Sequence, residues 1–416
     1  MLKTDVTIIG GGQAGLVMSR SLTARGIDHV VLERGRIGER WHSERWNSLH
    51  LLTTNAHSAL PGLPHKGSDP DAFMPAGAFA SYLGLYAQEI AAPVMGGVAV
   101  TEVERSGCGG FRISTNVGQW QSRAVVVATG ACDMPFRPAM ADGLAPSIFQ
   151  MVPSDYREPG QLPQGGVLVV GASSTGVQLA EEIHASGRPV TLAVGNHTRM
   201  PRRYRGRDIY VWMDAAGILD DPPLQSGNLD AARRQPSTQL IGDSHNRDLD
   251  LGVLRSQGIR LFGRLSGIDG ARVEFRGDLE RTTGASHVRM QRTLKRIDDF
   301  ISNQGLSIPE ADSGTRVPFL AASDSLALDL QRGGIGSVVW ATGYIRRYPW
   351  LKVPALDHCG EIIHHGGVAP VPGLYALGLT FMRRRRSQFI DGCGLDAEDL
   401  TPAIEAHLNL SARQVA

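Results

Sequence analysis

Residues 6–34 constrain this chain more than any other stretch. An apolar run, Val6-Thr7-Ile8-Ile9, leads into Gly10-Gly11-Gly12-Gln13-Ala14-Gly15, then a helical pattern, then Val30-Val31-Leu32-Glu33. Gly10, Gly12 and Gly15 take the G-x-G-x-x-G positions, where glycine serves a tight turn, close approach of backbone to a pyrophosphate, and close helix–strand packing. The helix begins near Gln13 and Ala14, where unpaired N–H groups and the helix dipole favour an anion. Glu33 ends the second strand where a carboxylate can accept hydrogen bonds from an adenosine ribose, and Arg34 follows it. Strand, turn, helix (Leu16, Val17, Leu22, stopped by Gly26) and acid agree on a βαβ dinucleotide-binding unit.

A second copy follows a Pro- and Gly-rich linker at residues 153–166. Val167-Leu168-Val169-Val170 is the strand, Gly171-Ala172-Ser173-Ser174-Thr175-Gly176 the turn, and residues 177–185 the helix. Ser173 replaces the middle glycine and sets a hydroxyl where it can donate to a phosphate. The next strand, residues 190–194, ends without an acid, and Arg199, Arg202 and Arg203 come just after it. An acid there favours a free ribose 2′-hydroxyl and an arginine a 2′-phosphate, so these three predict NADP(H) as the second nucleotide.

With 416 residues, 42% hydrophobic and 20% charged, the chain can bury a large core and hold more than one domain. A net charge of +1 gives no footprint for nucleic acid or a membrane surface. The four cysteines, Cys108, Cys132, Cys359 and Cys393, form no C-x-x-C pair, so no metal site and no redox dithiol are expected. The first strand starts within a few residues of Met1, and no apolar run approaches the ~20 residues of a membrane span. The expectation is a cytoplasmic protein without a membrane span; oligomeric state is open, with a homo-oligomer compatible.

Between and after the two units lie further candidates. Arg40 and Trp41 open an irregular, aromatic-rich segment at residues 36–64, of the kind that serves function inside a compact domain. Residues 125–130 form a buried strand ending in Thr129-Gly130, and residues 337–343 repeat that ending as Thr342-Gly343; open α/β sheets place ligands at such carboxyl edges. Residues 205–250 show little period and suit a substrate-facing excursion or an exposed lid. Met290, Leu294, Ile297 and Ile301 recur at helical spacing and read as core. The run Arg383-Arg384-Arg385-Arg386 reads as a solvated or phosphate-facing loop.

The fold class is therefore α/β, with two dinucleotide-binding Rossmann-like domains, the second inserted in the first. Residues 1–160 form the first part of the outer domain, 161–330 the inserted domain expected to take NADP(H), and 331–416 the return to the outer domain. This arrangement resembles the class B flavin monooxygenases, the group of flavin-containing and Baeyer–Villiger monooxygenases. The resemblance rests on Gly10 to Gly15, Glu33, Gly38 to Trp41, Thr54-Asn55, Ala128-Thr129-Gly130, Gly171 to Gly176 and Ala341-Thr342-Gly343-Tyr344. Nearly the whole chain resembles bacterial CzcO-like flavoproteins, often labelled as involved in potassium transport, with runs such as Pro201-Arg202-Arg203-Tyr204-Arg205-Gly206-Arg207-Asp208.

The resemblance implies FAD and NADPH as cofactors and O₂ and a small organic molecule as substrates, oxygenated at a heteroatom or carbonyl carbon through a flavin C4a-(hydro)peroxide. It also implies that Asn55 lies near the reactive edge of the flavin, while His57 reads as a loop histidine without a visible partner. The chain departs from the family's F-x-G-x-x-x-H-x-x-x-Y/W motif: Tyr156 fits its end, but Ile148 and Val152 stand at the glycine and histidine positions, which weighs against monooxygenation and against Baeyer–Villiger chemistry in particular. The alternative is a flavin oxidoreductase passing electrons to a quinone or other acceptor. A disulfide reductase lacks its dithiol here, and a redox sensor tied to transport has only the label behind it.

Overall fold

A computed structural model describes residues 1–65, 67, 69–107, 109–223, 233, 235–309 and 326–413. Cys108 and part of the 205–250 excursion lie outside the described residues.

The opening pattern folds as its periodicity dictates. Strand β1 (Leu2–Ile9), helix α1 (Gln13–Thr23) and strand β2 (His29–Glu33) form a parallel unit in which Ile9 pairs with Leu32. Helix α2 (Ala76–Glu89) leads to β3 (Val94–Gly96), and a meander of β4 (Val100–Arg105), β5 (Phe111–Thr115) and β6 (Gly118–Val127) completes the sheet in the order β3-β2-β1-β6-β5-β4. Val6, Ile8, Val125 and Val126 are fully buried. Parallel strands covered on both faces read as unbroken apolar runs, which is why these were legible.

The second sheet holds β7 (Phe149–Met151), β8 (Gly166–Val170), β9 (Val190–Ala193), β10 (Arg260–Phe262) and β11 (Ile335–Trp340) in the order β10-β9-β8-β11-β7, with α3 (Ser174–Ala185) crossing from β8 to β9. All its pairings are parallel. The expected domain limits at 160/161 and 330/331 therefore move outward. Strand β7 precedes residue 161, and β11, beyond residue 330, pairs with both β8 and β7. The chain re-enters the first sheet with β12 (Leu374–Ala376), which pairs with the second half of β6. An apolar strand carries no local mark of the sheet it joins, so sequence periodicity placed β11 in the wrong domain.

The described part of the excursion is packed rather than exposed. Its helix α4 (Ile209–Ala215) buries Ile209 and Trp212 against Met290, Leu294, Ile297 and Ile301 of α5 (Leu279–Asn303), the stripe read as core. The Trp212 indole N–H donates to the Tyr204 carbonyl at 2.6 Å, so the one polar atom of that ring is satisfied. The C-terminal helix α6 (Gly392–Arg413) closes the first domain against α1. Among the described residues no helix is long and apolar enough to cross a membrane.

Candidate active site

The two glycine turns have the same build. Gly10 and Gly171 both adopt φ +111°, and a Cβ on either would strike a strand-end carbonyl, Ala128 O at 2.6 Å and Ala341 O at 2.2 Å. Each Ala-Thr-Gly strand end thus closes over one turn: Ala128-Thr129-Gly130 over the first and Ala341-Thr342-Gly343 over the second. Thr342 and Gly343, placed by sequence in the return of the FAD domain, lie instead beside the second turn. Beyond Gly12, Gly130 and Gly343 there is open space, with no described atom within 4 Å of an added Cβ, as cradles for a bound group require.

Glu33 is nine-tenths buried, and its carboxylate is held by two backbone donors, Gly11 N–H at 2.7 Å and Gly35 N–H at 2.9 Å. One bond to each oxygen leaves lone pairs for a ribose. Gln13 and Ala14 start α1, and a Cβ on Gly378, just past β12, would lie 2.8 Å from that of Ala14, so the return segment seats against the same helix N-terminus. Arg40 is tied to Asp133 at 2.6 Å and Glu44 at 2.9 Å. This fastens the short helix carrying Trp41 to the segment after Gly130, and Trp41 meets Phe79 edge to face at 4.8 Å. Arg34 is exposed, 4.0 Å from Glu44.

At the second turn, Ser173 caps α3 at its N-terminus, Thr175 follows in the first turn, and the Ser174 hydroxyl meets Ser237 at 2.9 Å. Sequence reading missed Gln239, fully buried, whose side-chain amide donates to the Ala172 carbonyl at 2.6 Å and so fastens the excursion onto the turn. It sits in an aperiodic stretch, and nothing in the local pattern pointed to it.

The structure corrects two of the three expected phosphate-binding arginines, Arg199 and Arg202. Arg199 is buried and paired with Asp250 at 2.6 Å. Arg202 is fully buried, paired with Asp208 and lying 4.8 Å over the Phe73 ring. Arg203 is exposed, in a two-residue strand, and donates to the Gly206 carbonyl. Moving Arg199 or Arg202 to a phosphate would break a buried ion pair and strand its carboxylate.

The arginine run is not solvated either. Arg386 is buried and bridges Asp214, Asp220 (2.8 Å) and Asp391 (3.2 Å); Arg384 bonds Asp396 at 3.0 Å. These pairs clamp α4 to the return segment. Burial pushes the carboxyls of Asp208 and Asp391 up, against the pull of Arg202 and Arg386. His57 has partners after all, Thr54 Oγ1 at 3.1 Å and Asp214 at 3.6 Å.

Asn55 opens a 3-10 turn and is 6% exposed. Its backbone N–H donates to the Ala72 carbonyl at 2.8 Å and its side-chain N–H to the Asp69 carbonyl at 2.9 Å. A carbonyl only accepts, so the amide nitrogen faces Asp69 and Oδ1 faces the other way. That oxygen is buried and has no partner among the described residues. Tyr156 is fully buried with its hydroxyl on Glu182 at 3.0 Å, and Val152, at the histidine position of the family motif, packs against the apolar cluster that includes Leu168, Val170 and Val338 of the second sheet.

Comparison with known proteins agrees with this geometry. The pyridine nucleotide-disulphide oxidoreductase family matches residues 7–212. A CzcO-like oxidoreductase of Geobacillus kaustophilus is 31% identical over 407 residues, spanning 97% of this chain and 99% of its own. An indole-3-pyruvate monooxygenase, YUCCA1 of Oryza sativa, is 27% identical over 387 residues, 90% of this chain and 86% of its own. Among solved structures, the flavin-containing monooxygenase of Stenotrophomonas maltophilia superposes with a TM-score of 0.68 at 18% identity over 98% of this chain and 99% of its own. The two turns fit the cofactors this family implies, FAD at the first and NADP(H) at the second. The chain belongs to the CzcO-like oxidoreductases.

Proposed function

We propose that the protein is an NADPH-dependent, FAD-containing monooxygenase acting on a small organic substrate. The chemistry a bound flavin would supply is acceptance of a hydride from NADPH and activation of O₂ for transfer to the substrate. The chain's own part is to bind and orient. The N-termini of α1 and α3 offer unpaired N–H groups to the two pyrophosphates, and Glu33 accepts from the FAD ribose. The observation that carries the reading is the Asn55 oxygen: a buried acceptor with no partner among the described residues costs about 1–3 kcal/mol unless a ligand donates to it. Asn55 holds no proton to give from that atom, so it positions a donor of the bound nucleotides rather than acting as acid or base.

Asn55→Ala should keep FAD bound, lower the product formed per NADPH consumed and raise the H₂O₂ released. Unchanged coupling would end this role for Asn55. The reading as a whole is tested by mixing protein and NADPH in air with candidate amines, thioethers and ketones, and comparing product with H₂O₂. Val152 in place of the motif's histidine favours a second reading, electron transfer to a quinone or similar acceptor without oxygenation. Rapid anaerobic reduction of quinones with no oxygenated product from any substrate would select it.

A further inference from the structure

We propose that Arg264 reads the 2′-phosphate of NADP(H) at the second turn; the inference rests on the reading of that turn as an NADP(H) site. The chain carries its own reference for the position. In the first sheet Ile9 pairs with Leu32, and Leu32 with Met95. In the second, Val170 pairs with Ala193, and Ala193 with Phe262. One residue beyond Leu32 and Ala193 stand Glu33 and Val194, and two beyond Met95 and Phe262 stand Gly97 and Arg264. Between the two units the acid beside the ribose becomes a fully buried valine, and the glycine across from it becomes an arginine. The local charge changes sign, from one suited to a diol to one suited to a phosphate dianion.

The geometry supports the exchange. A Cβ built on Gly195 would lie 3.6 Å from Arg264 Nη2, so the guanidinium rests against the backbone just past β9, with no side chain between them. The Arg264 backbone, from which the side chain springs, is fixed on both sides: its N–H donates to the Asp278 carboxylate Oδ1 at 3.0 Å, and its carbonyl accepts from Arg276 N–H at 2.8 Å. A Cβ on the preceding Gly263 would meet Arg276 O at 1.9 Å, so the strand end is tightly seated. Among the described residues the Arg264 guanidinium has no carboxylate within ion-pair distance, whereas Arg199 and Arg202 are each committed to one. A guanidinium fork matches phosphate oxygens two at a time, and an unpaired one gives up only water to do so.

The test uses the FAD-loaded protein and equilibrium binding of NADP⁺, NAD⁺ and the fragments 2′,5′-ADP and 5′-AMP. Arg264→Gln should weaken NADP⁺ and 2′,5′-ADP about 10- to 100-fold, as loss of one or two charge-assisted hydrogen bonds implies, while NAD⁺ and 5′-AMP stay within about twofold. Arg264→Lys should recover part of the loss, and Arg272→Gln, an exposed arginine on the neighbouring hairpin, should change nothing. If wild-type protein binds 2′,5′-ADP no better than 5′-AMP, the NADP(H) reading fails and the assignment with it. If the wild-type preference survives Arg264→Gln, or is abolished by Arg203→Gln instead, the assignment alone fails. A parallel loss of NAD⁺ and NADP⁺ affinity would make Arg264 a structural residue and also overturn it.

Discussion

Gly12 and Ser173 stand at the same point of two turns with the same shape, yet only one is glycine. Their backbones are nearly superimposable, at φ −88°, ψ −171° and φ −79°, ψ −174°, ordinary extended values open to any residue. The flanking positions differ in kind. Gly10 and Gly171 need positive φ, and a Cβ on Gly15 or Gly176 would lie 1.9 Å from the carbonyl of Gly10 or Gly171. The outer glycines are thus demanded by the fold of the turn. The middle one is demanded only by what the turn binds, and a serine there trades close approach for a hydroxyl.

The sharpest way to break this comparison is to add one methyl to each turn. Gly15→Ala should cost about 3 kcal/mol or more and yield protein without FAD, since the clash is with backbone that cannot move aside. Gly176→Ala carries the same clash but should retain FAD and lose NADP⁺ binding. Flavin absorbance per mole of protein and nucleotide titration read the two outcomes, and equal FAD loss in both variants would show that the turns are not independent.

The two units also touch through charges, and this contact is pH-dependent. Arg233, from the excursion, donates to His364 Nε2 at 3.0 Å in the return segment, which requires a neutral ring. Burial, with Arg233 and Arg346 nearby, lowers the His364 pKa from 6.5 to about 4. The unfolded chain therefore takes up this proton first, and stability should fall by at most about 3 kcal/mol as pH drops from about 6.5 to about 4. Melting temperatures of wild type and His364→Gln should diverge across that window; parallel curves would remove the histidine from the contact.

A smaller effect separates the two ribose positions. Glu33→Gln sets an amide N–H against a backbone N–H that now reaches a carboxylate oxygen, at a cost of about 1–3 kcal/mol, and should speed FAD release. Val194→Ala should lower stability but leave the ratio of NADP⁺ to NAD⁺ affinity unchanged. The smallest expected change is Ser173→Gly, a loss of roughly 1 kcal/mol in NADP⁺ affinity if the hydroxyl stands in for close backbone approach. Tighter binding by the glycine variant would reverse that view.

What the sequence by itself determined was local: two strand–turn–helix units, the acid after one and its absence after the other, and the apolar stripe of α5. Hydrophobic period and turn chemistry act within a few residues, so these features are written where they occur. The tertiary structure decided everything that depends on which distant segments meet. It spent Arg199 and Arg202 on Asp250 and Asp208, folded Arg386 into a clamp on Asp214, gave β11 to the second sheet, and turned the Asn55 oxygen away from every described donor. A run of arginines after a nucleotide-binding strand looks the same in sequence whether it faces phosphate or carboxylate. The difference lies in burial and in partners up to 172 residues away, which packing alone selects.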